Sequence, residues 1–252
     1  MGSKKRRNAL AWVILVLSLC AMAFAGYRLW EPWRTYREGR GAYEKLAGHV
    51  RPGEPAGGPD AMERPDIPVD FGALRQVNPA AAAWLYCPGT VIDYPVMRAD
   101  DYGYYLRHLP DGSYNVNGSL FIDYNNAPDF SERLTVIYGH HMRSGQMFGS
   151  LKGYKRQPYY EKHPSMYLYT QDSGYRVDLL YGCVIAAGEW RDRAFMFEAN
   201  LNALLAYAAR NTTFTSQARY APGDRIVAMS TCSYEFDGAR YVVLGVLRPQ
   251  AQ

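Results

Sequence analysis

The sequence predicts a mainly β domain whose sheet closes on itself, preceded by an apolar N-terminal helix. Two observations predict the sheet: the segments after residue 69 are short and rich in Val, Ile and Tyr, and turn residues bound each of them. A closed sheet leaves no strand edge unpaired, which favours a barrel. A third observation predicts the helix, because residues 9–26 form an uncharged apolar run of about 18 residues.

The composition narrows the class of protein before any motif is considered. The 252 residues are 48% hydrophobic and 21% charged, which excludes a disordered tail protein, a collagen and a coiled coil. Four N-terminal cations account for the whole net charge of +4, namely Lys4, Lys5, Arg6 and Arg7. The rest of the chain is neutral, so we expect no nucleic-acid partner.

The N-terminal segments predict a membrane topology. Residues 1–8 form a basic cytoplasmic segment and residues 9–27 a single-pass anchor, because the cations lie directly before the apolar run. The rest of the chain is then extracellular. The small residues Ala21, Ala23 and Ala25 also fit a signal-peptide cleavage site, so a cleaved leader is the alternative. Both interpretations export the remaining residues.

Residues 28–68 connect the anchor to the main domain. Residues 31–50 carry loosely spaced aromatic side chains and predict a juxtamembrane helix. Residues 51–68 are rich in proline and glycine, which predicts a linker without regular structure. The remaining residues, 69–252, are enough for one domain with a hydrophobic core.

The main domain begins with a predicted short helix, Asp70–Val77, with Asp70 as its N-cap. The sequence predicts an antiparallel sheet, and examples of its strands are Thr90–Met97, Gly118–Tyr124, Leu134–Tyr138, Met166–Thr170, Tyr175–Ala186, Arg225–Thr231 and Arg240–Leu247. One longer helix is predicted at Phe197–Arg210 from the helical spacing of its leucines.

The last two strands carry a candidate reactive cysteine. The strand Arg225–Thr231 delivers Cys232 to its carboxyl end, and Arg240 opens the hairpin partner. If the strands pair up to the loop, the two side chains lie roughly 5 Å apart, where a cation favours a thiolate and can stabilise an oxyanion. The alternative is a cysteine that merely fills the core. We expect the other exported cysteines, Cys87 and Cys183, to be buried free thiols.

A second segment supplies a candidate proton carrier. The strand Leu134–Tyr138 runs into Gly139, His140 and His141, so an imidazole is presented at a strand end beside flexible backbone. Thiol chemistry needs such a partner, and His140 is the better candidate. Neighbours on a strand point to opposite faces, so a metal site from the two histidines is not expected.

Three ordered motifs resemble those of class B sortases. They are residues 84–96 (WLYCPGTVIDYPV) with residues 118–123 (GSLFID), residues 138–140 (YGH) with residues 147–151 (MFGSL), and residues 230–234 (STCSY). The resemblance implies a sortase-type eight-stranded β-barrel with N-terminal helices and one long helix before the penultimate strand. The residue after the histidine is often Asn in this family, where this chain has His141.

The resemblance also implies an activity, a membrane-anchored cysteine transpeptidase of a Gram-positive envelope. Such an enzyme cleaves the C-terminal sorting signal of a secreted protein after Thr and joins the Thr carbonyl to a peptidoglycan amine, without a cofactor. Cys232 maps to the nucleophile, His140 to the histidine and Arg240 to the arginine. Residues expected to line the substrate pocket are Ser230, Thr231, Ser233 and Tyr138. The alternatives are a pilin-polymerising sortase, a cysteine protease and a non-catalytic envelope scaffold.

Overall fold

The computed structural model describes residues 2–50, 68–194 and 198–250. The chain divides into two compact units, Met1–Gly41 and Ala42–Gln252. The predicted linker at residues 51–68 lies outside the described residues except for Pro68.

The N-terminal helix α1 runs without interruption over Gly2–Val50. It contains the stretch Trp12–Gly48, which is long and apolar enough to cross a membrane, with a mean hydropathy of 1.8 in its most apolar window. The juxtamembrane helix predicted at residues 31–50 is therefore a continuation of the apolar helix. A helix of this kind near the N-terminus fits both a membrane anchor and a signal sequence.

The second unit begins with the last turns of α1, where Tyr43 and Leu46 are buried. The next helix, α2 (Phe71–Val77), confirms the predicted start, because the Asp70 carboxylate accepts a hydrogen bond from the Ala73 amide at 2.8 Å. α2 buries Phe71 and Leu74 in the same cluster as Leu46.

Eight strands close into a barrel in the order β1-β2-β3-β4-β7-β8-β6-β5. They are β1 (Ala81–Tyr86), β2 (Asp93–Arg98), β3 (Leu120–Ile122), β4 (Leu134–Tyr138), β5 (Ser165–Tyr169), β6 (Gly174–Ala186), β7 (Ile226–Cys232) and β8 (Ala239–Pro249). The barrel confirms the predicted fold class. Strand β1 was missed because three of its six residues are alanine, which carries no strand preference of its own.

The expectation of a wholly antiparallel sheet is wrong at two places. Strands β2 and β3 are parallel, and so are β4 and β7. Long connections separate both pairs, so the chain can return to the same end of the barrel before the second strand begins. The second parallel pair brings the two candidate chemical segments side by side.

The helical elements lie between the strands. They are the 3-10 helices Tyr104–Leu106 and Phe148–Lys155, and α3 (Gln157–Lys162), α4 (Ala187–Ala194) and α5 (Glu198–Asn211). Helix α5 confirms the helix predicted at Phe197–Arg210, although Phe197 itself lies outside the described residues. Helix α4 has no apolar repeat and was not predicted.

Alternate residues along β7 and β8 pack into two different hydrophobic clusters. Met229 and Val243 belong to one cluster, with residues of β1, β2 and β5. Ala228 and Val242 belong to the other, with residues of α5. This alternation follows from strand geometry and gives the barrel wall an inner and an outer face. Cys87 and Cys183 are buried, and among the described residues neither forms a disulfide bond, as predicted.

Candidate active site

The β7–β8 hairpin holds Cys232 opposite Arg240, which confirms the pairing predicted from the sequence. The first six residues of β7 are buried, and Cys232, the seventh and last, is exposed. Arg240 is half-buried, and its Nη1 donates to the Ala239 carbonyl at 3.1 Å. An exposed cysteine thus lies directly across the end of the hairpin from an arginine.

Strand β4 runs parallel to β7, with Tyr138 level with Ser230. The Gly139 amide continues the ladder by donating to the Ser230 carbonyl at 3.2 Å. One residue further on, His140 follows the same path past the end of β7. The pattern of either strand does not reveal this pairing, because the two strands lie about ninety residues apart and run in the same direction.

Two buried side chains pack closely against the backbone of Gly139. A Cβ atom there would lie 2.4 Å from Leu120 Cδ2 and 2.7 Å from Phe148 Cδ2. Only a glycine fits this approach, so the turn between β4 and the histidines is tightly held where the sequence suggested flexible backbone.

The imidazole of His140 is oriented by the backbone of the 3-10 helix Tyr104–Leu106. Its Nε2 lies 2.7 Å from the Leu106 carbonyl oxygen. A carbonyl oxygen only accepts hydrogen bonds, so Nε2 carries the proton, and Nδ1 is the nitrogen that a neutral ring has available for proton exchange. The arrangement provides an imidazole of defined tautomer beside the end of β7.

The second histidine, His141, contacts the nucleophile segment directly. Its Nδ1 lies 2.7 Å from the Cys232 carbonyl oxygen, and its ring packs edge-on against Tyr234 at 5.0 Å between centroids. Burial lowers the pKa of His141, and Lys152 and Lys155 lower it further, against the opposing effect of the bond to Cys232. The sequence left His141 as the alternative to His140 and gave no sign of this contact, because it joins segments about ninety residues apart.

Three of the four residues expected to line a substrate pocket lie at or directly after the end of β7. Ser230 is 1% exposed, and within the described residues its Oγ has no hydrogen-bond partner. Strand alternation places Ser230 on the same face as Cys232 and Thr231 on the opposite face. Thr231 Oγ1 donates to the Gly139 carbonyl at 2.8 Å, which ties β7 to the turn after β4. Ser233 belongs to the loop after the nucleophile.

Tyr138 lies on the same face as Ser230, where its hydroxyl donates to the Asp123 carboxylate at 2.9 Å. Burial raises the pKa of Tyr138, and the Asp123 charge raises it further, so the hydroxyl stays protonated. Asp123 is itself buried and also accepts from the Asn125 amide at 2.9 Å. The hydroxyl of Tyr138 is therefore occupied by a structural bond.

A lysine braces the loop that follows the nucleophile. Lys155 Nζ donates to Ser233 Oγ at 2.9 Å and pairs with the Glu235 carboxylate, to which the Ser233 hydroxyl also donates. Burial of Glu235 pushes its pKa up, but the bonds from Lys155 and Ser233 prevail and lower that pKa to about 2. No sequence signal pointed to this brace, because Lys155 and Glu235 are 80 residues apart.

The Ser233 amide donates to the Ala239 carbonyl at 2.9 Å, which closes the base of the hairpin loop. Within the residues that the structure describes, no group of three His, Cys, Asp or Glu side chains is placed to hold a metal ion. The site thus consists of a thiol, an oriented imidazole and a guanidinium on one end of a barrel wall. Such a set can perform acyl transfer through a thioester.

Comparison with known proteins points to one family. No family model matches the chain. The chain is 29% identical to sortase B of Listeria monocytogenes over 177 residues, which is 69% of this chain and 72% of that protein. It is 24% identical to sortase B of Staphylococcus aureus over 246 residues, covering 92% of this chain and 94% of the relative.

Solved structures share the fold. Sortase B from Bacillus anthracis in complex with AAEK1 matches with a TM-score of 0.70 and 25% identity, over 86% of this chain and all of the other. A Staphylococcus aureus sortase B–substrate complex matches with a TM-score of 0.71 and 24% identity, covering 85% of this chain and 98% of the other. A sortase B complexed with triglycine matches with a TM-score of 0.70 and 24% identity, covering 85% and 99%.

Proposed function

We propose, from the premise that this chain belongs to the sortase B family and is a cysteine transpeptidase, that it anchors secreted proteins to the cell wall. In this proposal it cleaves a C-terminal sorting signal after Thr and joins the Thr carbonyl to a peptidoglycan amine. One observation carries the assignment of residues: exposed Cys232 faces Arg240 across the hairpin, and the oriented ring of His140 follows the neighbouring strand.

The first half-reaction forms a thioester. The Cys232 thiolate attacks the Thr carbonyl carbon, and the Arg240 guanidinium stabilises the oxyanion of the tetrahedral intermediate. The intermediate collapses by breaking the C–N bond, and His140 gives a proton to the departing amide nitrogen. Because its Nε2 is held by the Leu106 carbonyl, Nδ1 is the atom that carries this proton.

The second half-reaction releases the product. The acceptor amine attacks the thioester carbonyl, a new C–N bond forms, and the C–S bond breaks to return the Cys232 thiolate. The proton lost by the amine goes back to His140, which restores the starting state. The sorting peptide is assigned to the face of β7 that carries Ser230 and Cys232, where the buried Ser230 hydroxyl has no hydrogen-bond partner within the described residues.

The partners follow from the same family. Solved relatives hold a substrate in one case and triglycine in another, which supports a sorting-signal peptide and a glycine amine as the two substrates of this chain. We assign no cofactor to the reaction. In this proposal the apolar part of α1 anchors the chain in the membrane, with residues 1–8 in the cytoplasm. Residues 28–68 connect the anchor to the extracellular catalytic domain, which residues 69–252 form.

The test incubates the full-length chain in detergent with a quenched library of Thr-Gly and Thr-Asn peptides, with and without triglycine. Mass spectrometry identifies the products. We expect cleavage after Thr and an amide adduct, both abolished in Cys232→Ala and both retained in Cys183→Ala, which removes a buried thiol of the same chain. Hydrolysis without adduct would indicate a protease. The absence of any Cys232-dependent product from a folded chain would indicate a scaffold.

A further inference from the structure

A surface pocket of about 710 Å³ adjoins the loop that follows the nucleophile. One wall is formed by that loop, and the other by the 3-10 helix Phe148–Lys155 and the start of α3. The lining side chains that matter here are His141, Lys152, Lys155, Arg156, Tyr234 and Glu235. None of the catalytic residues assigned above lines this pocket.

The pocket is positively charged. It has three permanent cations, Lys152, Lys155 and Arg156, against the single carboxylate of Glu235. Lys155 already pairs with Glu235, whereas Lys152 and Arg156 have no ion pair in the part of the chain that the structure describes. Both are exposed at the edge of the cavity. Two uncompensated cations therefore border one concave surface, which attracts an anionic group.

The pocket also reaches the nucleophile. Ser233, the residue directly after Cys232, lines it, and His141 joins the pocket to Cys232 through the hydrogen bond to the Cys232 carbonyl. The sorting peptide is assigned to the face of the barrel wall that carries Ser230. A second substrate must therefore approach the thioester from another side, and the pocket is an open cavity beside it.

We propose that this pocket binds the anionic part of the amine acceptor, a carboxylate or a phosphate, and so directs the amine towards Cys232. The proposal rests on the transpeptidase function and deepens it, because it names the chemistry of the second substrate. Lys152 and Arg156 hold the anion, while Lys155 keeps the β7–β8 loop in place through Ser233 and Glu235. The same cations repel an ammonium group, so the acceptor enters with its anionic end in the pocket.

The experiment compares two acceptors that differ only in this charge. The full-length chain in detergent, loaded by its sorting peptide, is given triglycine or triglycine amide, and the kcat/KM for adduct formation is measured for each. We expect triglycine to be preferred by about fourfold to twenty-fivefold, because two exposed ion pairs of about twofold to fivefold each multiply. The ratio is taken on one preparation, so a partly inactive sample does not change it.

The variant Lys152→Gln/Arg156→Gln is expected to bring the ratio close to one, and Lys162→Gln, an exposed lysine outside the pocket, is expected to keep it. Acetate and dimethyl phosphate, which each carry one negative charge, are added as competitors, and the stronger one identifies the anion as a carboxylate or a phosphate. A wild-type ratio of one, a preference that survives the double variant, or competition by neither anion overturns the proposal. Peptide cleavage without acceptor is measured separately, and its absence would contradict the transpeptidase function instead.

Discussion

The hydroxyl of Tyr43 is expected to contribute measurably to the stability of the barrel unit, although this residue lies in the same helix as the apolar N-terminal run. The hydroxyl donates to the Gly118 carbonyl at 2.5 Å and lies 3.2 Å from Ser119 Oγ, and the ring packs edge-on against Tyr94 at 5.1 Å. The side chain is 7% exposed. Burial raises the pKa of Tyr43, so the hydroxyl remains a donor over the physiological range.

The substitution Tyr43→Phe removes the donor and leaves the ring. The buried Gly118 carbonyl then loses this bond, which costs about 1–3 kcal/mol. With a urea m-value of about 2 kcal/mol/M, the unfolding midpoint falls by about 0.5–1.5 M. Tyr43→Ala removes the ring as well and is expected to cost about 3–5 kcal/mol. The difference between the two variants measures the packing against Tyr94.

The assay is urea unfolding of the full-length chain in detergent, followed by tryptophan fluorescence, to which Trp84, fully buried in the barrel unit, contributes. Tyr114→Phe is the matched control, because Tyr114 is 65% exposed, and its expected change is within about 0.5 kcal/mol. If Tyr43→Phe unfolds with the same midpoint as Tyr114→Phe, the end of α1 does not belong to the cooperative unit, and a catalytic domain starting at residue 69 would be complete.

Three further outcomes are expected. Tyr138→Phe should lower stability by about 1–3 kcal/mol, measured by urea unfolding, because the buried Asp123 carboxylate loses one of its hydrogen-bond donors. An unchanged midpoint would contradict this. Gly118→Ala should reduce peptide cleavage more than Gly145→Ala, since both have positive φ but only at Gly118 would a Cβ press on the Leu106 carbonyl that holds His140; equal rates would refute it. The pKa of His141 is lowered in the folded chain, so below about pH 6.5 the unfolded chain binds more protons than the folded one. The free energy of unfolding should therefore decrease as the pH is lowered, and it should decrease less in His141→Asn. Urea midpoints measured from about pH 7.5 to 5 test this.

Much of the fold follows from local patterns. The short Val-, Ile- and Tyr-rich segments correspond to seven of the eight strands, and Asp70 caps α2 as its position before the apolar residues predicts. The facing of Cys232 and Arg240 was also predictable, because a hairpin with a short loop sets its own register. These features depend on neighbours in the sequence, and their physical causes act over a few residues.

The candidate site depends on contacts between distant segments. The parallel pairing of β4 with β7 brings Gly139 to Thr231, and the brace of Lys155 on Glu235 spans 80 residues. The hydrogen bond between His141 and the Cys232 carbonyl is of the same kind. Side-chain periodicity states which face of a strand is buried, and it contains no information about which strand lies alongside.

The candidate catalytic residues could therefore be identified from the sequence, while their arrangement in space could not. A cysteine at a strand end, a glycine followed by histidine and an arginine across a hairpin can each be recognised from residue type and spacing. Barrel closure selects the neighbours, because every strand must satisfy its backbone hydrogen bonds on both sides. That requirement acts on the whole chain at once, and it places β4 beside β7, which brings His140 and His141 to the nucleophile segment.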